Sequence, residues 1–143
     1  MADKPAHEMR DPVYGLLIAP ETGMRDAIHH GEKTISIREG WRDYRPGAQI
    51  LIACHLAPWA VMATVSEVRH TTFRGLTPKE LADDGATTAE AFLEDIRRFG
   101  ARYEKLTLDS PATVIRWTDV RGYWVDNKSV YYGNEVELLR SAK

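Results

Sequence analysis

Residues 30–40 read HGEKTISIREG, and the reading of this stretch decides the fold. From Thr34 to Arg38, isoleucine alternates with small polar and charged residues, the period of two that marks a β-strand with one apolar face. By that parity Ile35 and Ile37 share one face, and Thr34, Ser36 and Arg38 share the other. Lys33 falls in phase with the isoleucines, where a charged side chain does not belong. It can join the polar row only from a turn ahead of the strand, and Gly31 supplies the turn residue. The polar row is then either an ordinary solvated face or the lining of a concavity.

Working outward, VYGLLI (residues 13–18) is a short apolar run suited to a central strand, closed by Pro20. In TGMRDAIHHG, Met24, Ala27 and Ile28 recur at helical spacing, and Gly23 keeps that helix short. Downstream, GWRDYRPGAQ is a loop with Pro46–Gly47 as its turn signal. QILIACH and AVMATVSEV follow as strands, with a hairpin expected around Ala57 and Pro58. LTPKELADDG opens a helix with Thr77 as N-cap, Pro78 in the first turn and Glu80 completing a capping box; Gly85 ends it. In TTAEAFLEDIRRFG the expected capping pair is Thr87 with Glu90. Ala89, Phe92, Leu93 and Ile96 form the apolar stripe, and Gly100 is the stop. PATVIRWTDV reads as a further strand.

Residues 1–12 are polar and aperiodic and are expected to form a flexible arm, with one domain over residues 13–143. Within it, residues 121–143 form a C-terminal extension rich in aromatics, with a turn signal at Asp126 and Asn127. The five to six short strands do not alternate with helices as βαβ units do. The expected class is therefore α+β: a small mixed β-barrel with an early short helix and a helical insert.

Composition narrows the function. The chain has 143 residues, 43% hydrophobic and 28% charged, the profile of an ordinary globular domain. A formal net charge of -2 gives no general cationic field for a long phosphate backbone, though a few residues can still recognise a nucleoside or short RNA. No apolar run reaches membrane-spanning length and no signal-peptide core is present, so the expectation is a cytoplasmic protein with no membrane partner. Cys54 sits in an apolar run and reads as a small buried hydrophobe. His29 and His30 are adjacent, His55 and His70 are isolated, and no metal-ligand spacing occurs, so neither metal nor cofactor is expected. Phosphate-binding glycine loops and a serine nucleophile elbow are absent.

What remains is a lysine, hydroxyls and carboxylates near turns. Lys33 can act as a base if desolvation lowers its pKa, or as a charge that steadies an oxyanion. Asp83 and Asp84 stand at the end of a short helix, where negative charge is unfavourable. Trp41 and Tyr44 occupy a polar loop where an aromatic ring can stack on a base. Tyr123, Trp124, Tyr131 and Tyr132 lie in the tail. Arg42, Arg45 and Arg74 add positive charge near the loops, while Trp59 and Trp117 are assigned to the core.

With these residues in view, AIHHGEKTISIREG followed by YRPGAQILI resembles the opening of ASCH domains, members of the PUA-like superfamily. The shared marker is a helix, then Gly-x-Lys-Thr, then a strand ending in Arg. The likeness extends through the helical insert to ATVIRWTDV and covers about residues 13–120. The resemblance implies a PUA-like mixed β-barrel, a cleft between barrel and helices, and an association with RNA. One branch resembles small amidohydrolases acting on N4-acetylcytidine. That likeness implies catalytic Lys33, Ser36 and Asp84, the last two standing where that branch has threonine and glutamate. If that reading holds, Arg38 is expected to bind the ligand's sugar or phosphate or to hold Asp84, with Trp41 or Tyr44 stacking on the base and Thr34 and Arg74 adding ligand contacts. The partner expected is a modified nucleoside or single-stranded RNA. A non-catalytic RNA- or nucleotide-binding module, or a ribonuclease, is the alternative reading.

Overall fold

The computed structural model describes residues 13–18, 23–54 and 59–121. The N-terminal arm, the hairpin turn at Ala57 and Pro58, and the aromatic tail after Arg121 lie outside the described residues.

Five strands form one sheet: β1 (Tyr14–Leu17), β2 (Ile35–Glu39), β3 (Gln49–Cys54), β4 (Trp59–Thr72) and β5 (Pro111–Arg121), in spatial order β1-β3-β4-β5-β2. β1 runs parallel to β3, and every other pairing is antiparallel. This is a mixed sheet, curled into a half-barrel, and with its helices it makes the α+β architecture expected. The curl has a local cause. β4 is 14 residues long and its register against β5 slips near Met62/Thr64 and Val65/Glu67, and such bulges bend and twist a strand. The expected AVMATVSEV strand therefore continues to Thr72.

The helices are α1 (Met24–His29), α2 (Pro78–Asp83) and α3 (Ala89–Arg97), followed by a 3-10 turn at Ala101–Tyr103. α2 begins as the sequence predicts: Thr77 accepts from the Glu80 N–H, and the Glu80 carboxylate accepts from the Thr77 N–H. For α3 the expected Thr87–Glu90 box is not the cap. Thr88 is the N-cap, its hydroxyl accepting from the Ala91 N–H; one residue further along, the side chain already meets the free donors of the first turn.

The hydrophobic core has two parts, and β2 and β5 divide them. Leu16, Ile28, Ile50, Ile52, Val61, Val65, Ile115 and Trp117 fill the concave side of the sheet. Ile35, Ile37, Ala112 and Val114 face the other side, where Phe73, Leu76, Leu81 and Leu93 cover them with α2 and α3. Cross-strand register explains the division. Ile37 pairs with Val114 toward the helices, and Ser36 pairs with Ile115 toward the concave core. Both faces of β2 are thus buried at its start, and the row Thr34, Ser36, Arg38 is not a solvated face.

Candidate functional site

β2 starts at Ile35, so Lys33 and Thr34 precede it, as the parity of the sequence requires. α1 ends at His29 and Gly31 turns the chain with a φ of 77°. The Lys33 N–H then bonds the Ala27 carbonyl at 3.0 Å, which ties the lysine to the end of α1. From this turn its side chain reaches Asp84, the C-cap residue of α2, with Nζ 2.5 Å from Oδ1. The two side chains are only 15% and 10% exposed, so this is a largely buried ion pair.

Asp84 arrives there because α2 is held at both ends. At its start, Glu80 takes two hydrogen bonds from Arg69 on β4, at 2.8 and 2.5 Å. At its end, Asp83 accepts from Arg116 on β5 at 3.0 Å and pairs with Lys79 at 3.2 Å. The acidic pair that the sequence flagged divides its work: Asp83 anchors to the sheet, and Asp84 turns to the edge of β2. There it accepts a hydrogen bond from the Ile37 N–H. Burial pushes the Asp84 carboxyl above its ordinary 3.8, while the charge and hydrogen bond of Lys33, the Ile37 N–H and Arg38 pull it back without cancelling the rise.

Ser36 is 6% exposed and its hydroxyl accepts from Arg38 Nε at 2.8 Å. The Arg38 guanidinium continues across to β1, where Nη2 donates to the Leu17 carbonyl. β1 and β2 are the two edges of the sheet, so Arg38 spans the open side of the half-barrel. Tyr44 does the same one turn on, its hydroxyl donating to the Gly15 carbonyl at 2.9 Å and its ring packed 5.2 Å from that of Tyr14. Burial first, and then the neighbouring Arg42, hold the Arg38 pKa below the ordinary arginine value, with Tyr44, Asp84 and Tyr103 acting in the opposite sense.

The structure therefore joins Lys33 to Asp84 and Arg38 to Ser36 at the edge of β2, with Asp84 and Tyr44 near enough for their charges to act on Arg38. Thr34 lies in the same row, its carbonyl accepting from the Trp117 N–H at 3.0 Å. Trp41 and Arg74 stand apart. Trp41 follows β2 at the end opposite Lys33, and the strand between them spans about 13 Å. Its indole is 66% exposed, fixed by an Nε1 hydrogen bond to the Thr71 carbonyl and packed 6.0 Å from the His70 ring. Arg74 sits in the turn after β4, exposed and paired with Asp109 at 3.0 Å.

Several participants carried little sequence signal. Arg116 was detectable only as a lone charge in the apolar run PATVIRW, on the face that Val114 and Ile35 share. Glu39 accepts from both Arg42 and Arg102, at 2.7 and 2.8 Å, a junction of residues 39, 42 and 102 that no local pattern announces. Among the described residues no group of metal-ligating side chains occurs, and no helix is long and apolar enough to cross a membrane.

A curled mixed sheet of this topology, covered on one side by a helical insert, defines the class of small barrel-like α+β domains. Solved structures give that class a name. An ASCH domain from Lactobacillus crispatus JV V101 matches with a TM-score of 0.59 at 13% identity, covering 82% of this chain and 85% of its own. A protein from Enterococcus faecalis V583 matches at 0.54 and 12% identity, over 80% and 86% of the two chains. ASCH from Zymomonas mobilis matches at 0.50 and 17% identity, over 85% and 79%. No family model and no curated protein matches the sequence. The chain has the ASCH fold, and the likeness establishes the fold alone.

Proposed function

We propose that the protein hydrolyses the exocyclic amide of an N4-acylated cytosine, such as that of N4-acetylcytidine. The observation that carries the reading is the Lys33–Asp84 ion pair, drawn out of water at the open edge of β2 beside the hydrogen-bonded Ser36 and Arg38. A buried carboxylate whose pKa is raised is a better base near neutrality than a solvated one, and a fixed ammonium beside it suits an oxyanion.

In this reading the acyl carbonyl lies against the Lys33 ammonium. Among the described residues, the Ser36 hydroxyl has its side-chain hydrogen bond from Arg38 and no base in contact, which favours water as the attacking group. Water gives a proton to Asp84 as its oxygen bonds to the acyl carbon. Lys33 and the Ser36 hydroxyl stabilise the negative charge that develops on the carbonyl oxygen. The oxyanion then re-forms the carbonyl as the C–N bond breaks, and Asp84 returns the proton to the leaving nitrogen. The products are cytidine and a carboxylic acid, which ionises to carboxylate by losing its proton to water.

The test is cytidine release from N4-acetylcytidine by the purified protein, with Lys33→Ala and Asp84→Asn beside it. Loss of a positioned acid–base group costs about 10²–10⁴ in rate, and each variant is expected to fall in that range. No release by the wild type, or release unchanged in Lys33→Ala, overturns the proposal. The alternative, a binding module for single-stranded RNA, draws its support from the exposed and immobilised Trp41 indole, whose faces suit base stacking. Oligonucleotide binding without any cytidine release is the outcome that selects it.

A further inference from the structure

Arg38 is an unusual cation. Among the described residues its partners are a hydroxyl and a carbonyl, Ser36 Oγ and Leu17 O, and none of them forms an ion pair with it. A guanidinium has five N–H donors in a planar fork, so these bonds leave donors on its outer side unmatched. Among the described residues, the two carboxylates paired in this region are held by other cations. Glu39, one residue on, is held between Arg42 and Arg102, and Asp84 is held by Lys33. Among the described residues, Asp84 pairs with Lys33 and Glu39 with both Arg42 and Arg102, which leaves Arg38 as the cation of this group without an ion pair.

An unpaired charge removed from water is costly, and proteins keep one there when something of opposite sign completes it. The seam makes such a partner reachable. Arg38 does not point into the apolar interior; it crosses the gap between the edge strands β1 and β2, which no backbone ladder closes. The same Nε that anchors it to Ser36 fixes the plane of the fork, so an incoming group meets a preorganised donor pair.

We propose that Arg38 is the receptor for an oxyanion carried by the substrate, and that the preferred substrate is an anionic N4-acylcytosine compound rather than the neutral nucleoside. The oxyanion is either the phosphate of a nucleotide or a carboxylate on the acyl group; both offer paired oxygens to the guanidinium fork. This inference rests on the amidohydrolase reading for the cytosine amide, and it adds the recognition of charge.

The experiment compares N4-acetylcytidine, its 5′-monophosphate and N4-succinylcytidine as substrates for wild type, Arg38→Gln and Arg38→Lys. At least one anionic substrate is expected to exceed the neutral one by 10-fold or more in kcat/KM. That ratio is expected to fall to near unity in Arg38→Gln and to an intermediate value in Arg38→Lys, which keeps the charge but loses the fork. A gain confined to the monophosphate assigns the oxyanion to the sugar side, and a gain confined to the succinyl compound assigns it to the acyl side. If neither exceeds the neutral nucleoside, or if the ratio survives in Arg38→Gln, the proposal is overturned.

Affinities of CMP and cytidine for the wild type, and of all three acylated compounds for Asp84→Asn, are read by calorimetry and need no turnover. An anionic preference there without any hydrolysis upholds the oxyanion receptor and removes the hydrolase reading. Hydrolysis with no anionic preference does the reverse. Should Arg38→Gln fail to fold, the wild-type preference at low and high salt decides, since a direct charge contact weakens as salt rises.

Discussion

α2 carries a buried acid–base pair at each end, and the two pairs are built differently. At the N-terminal end Glu80 is gripped by Arg69 through two hydrogen bonds and by the Thr77 N–H of the capping box. At the C-terminal end Asp84 meets Lys33 through one oxygen and takes the Ile37 N–H. Burial raises both carboxyls. For Glu80 the Arg69 and Thr77 hydrogen bonds outweigh it and the pKa falls below 4.5, while for Asp84 burial prevails and the pKa rises above 3.8. One short helix thus holds a carboxylate locked in its charged form and another left closer to taking a proton. The fully satisfied pair is a structural clamp, and the under-satisfied one is where chemistry is expected.

Breaking the clamp gives the largest effect on stability. Arg69→Ala leaves Glu80 buried without its fork and is expected to cost about 3 kcal/mol in chemical denaturation. The Arg69 side chain is 36% exposed, so the figure is set at the low end of the cost of breaking a buried pair. A loss under about 1 kcal/mol would remove the distinction between the two ends. At the other end, the double change Lys33→Met with Asp84→Leu is expected to be neutral or stabilising by about 1 kcal/mol, because apolar residues of similar size escape the desolvation of the ion pair. The same double variant is expected to abolish cytidine release. A large destabilisation instead would make Lys33–Asp84 a second clamp.

The smallest effect is a difference in pH slope. Glu80, with its folded pKa depressed, contributes stability that is present above its unfolded value and lost as pH falls through the folded pKa, below 4.5. Asp84, with its folded pKa raised, contributes stability that is present below 3.8 and lost as pH rises through its folded pKa. Denaturation curves across this range are expected to show Glu80→Gln losing less stability than wild type at the acid end. Asp84→Asn is expected to gain on wild type as the pH is raised above 3.8. Parallel curves for the two variants would contradict the opposite signs.

The sequence announces one of these ends and not the other. Thr77, Pro78 and Glu80 declare the start of α2 by local spacing alone, and strand parity alone expels Lys33 from β2. The helix dipole drew notice to Asp83 and Asp84 alike, and only the resemblance singled out Asp84. What could not be read is what these groups meet. Arg69 is 11 residues from Glu80, Lys33 is 51 from Asp84, and Arg38 finds the Leu17 carbonyl across an edge that only the curl of the sheet creates. Trp41 is a different case. Its loop suggested a ring free to stack on a base, and the structure adds that the indole is anchored to the end of β4, a strand's length from Lys33.

The hydrogen bond from the Ile37 N–H to Asp84 has a consequence beyond the site. Among the described residues β2 is an edge strand with Ile35 and Ile37 on one face, the kind of edge that can template a strand from another molecule. Asp84 occupies the outward-facing N–H that such a strand would need, and its charge discourages apolar β-pairing there. The carboxylate held beside Lys33 therefore also fills one hydrogen-bonding position of that edge, which a side chain without an acceptor at position 84 would leave open.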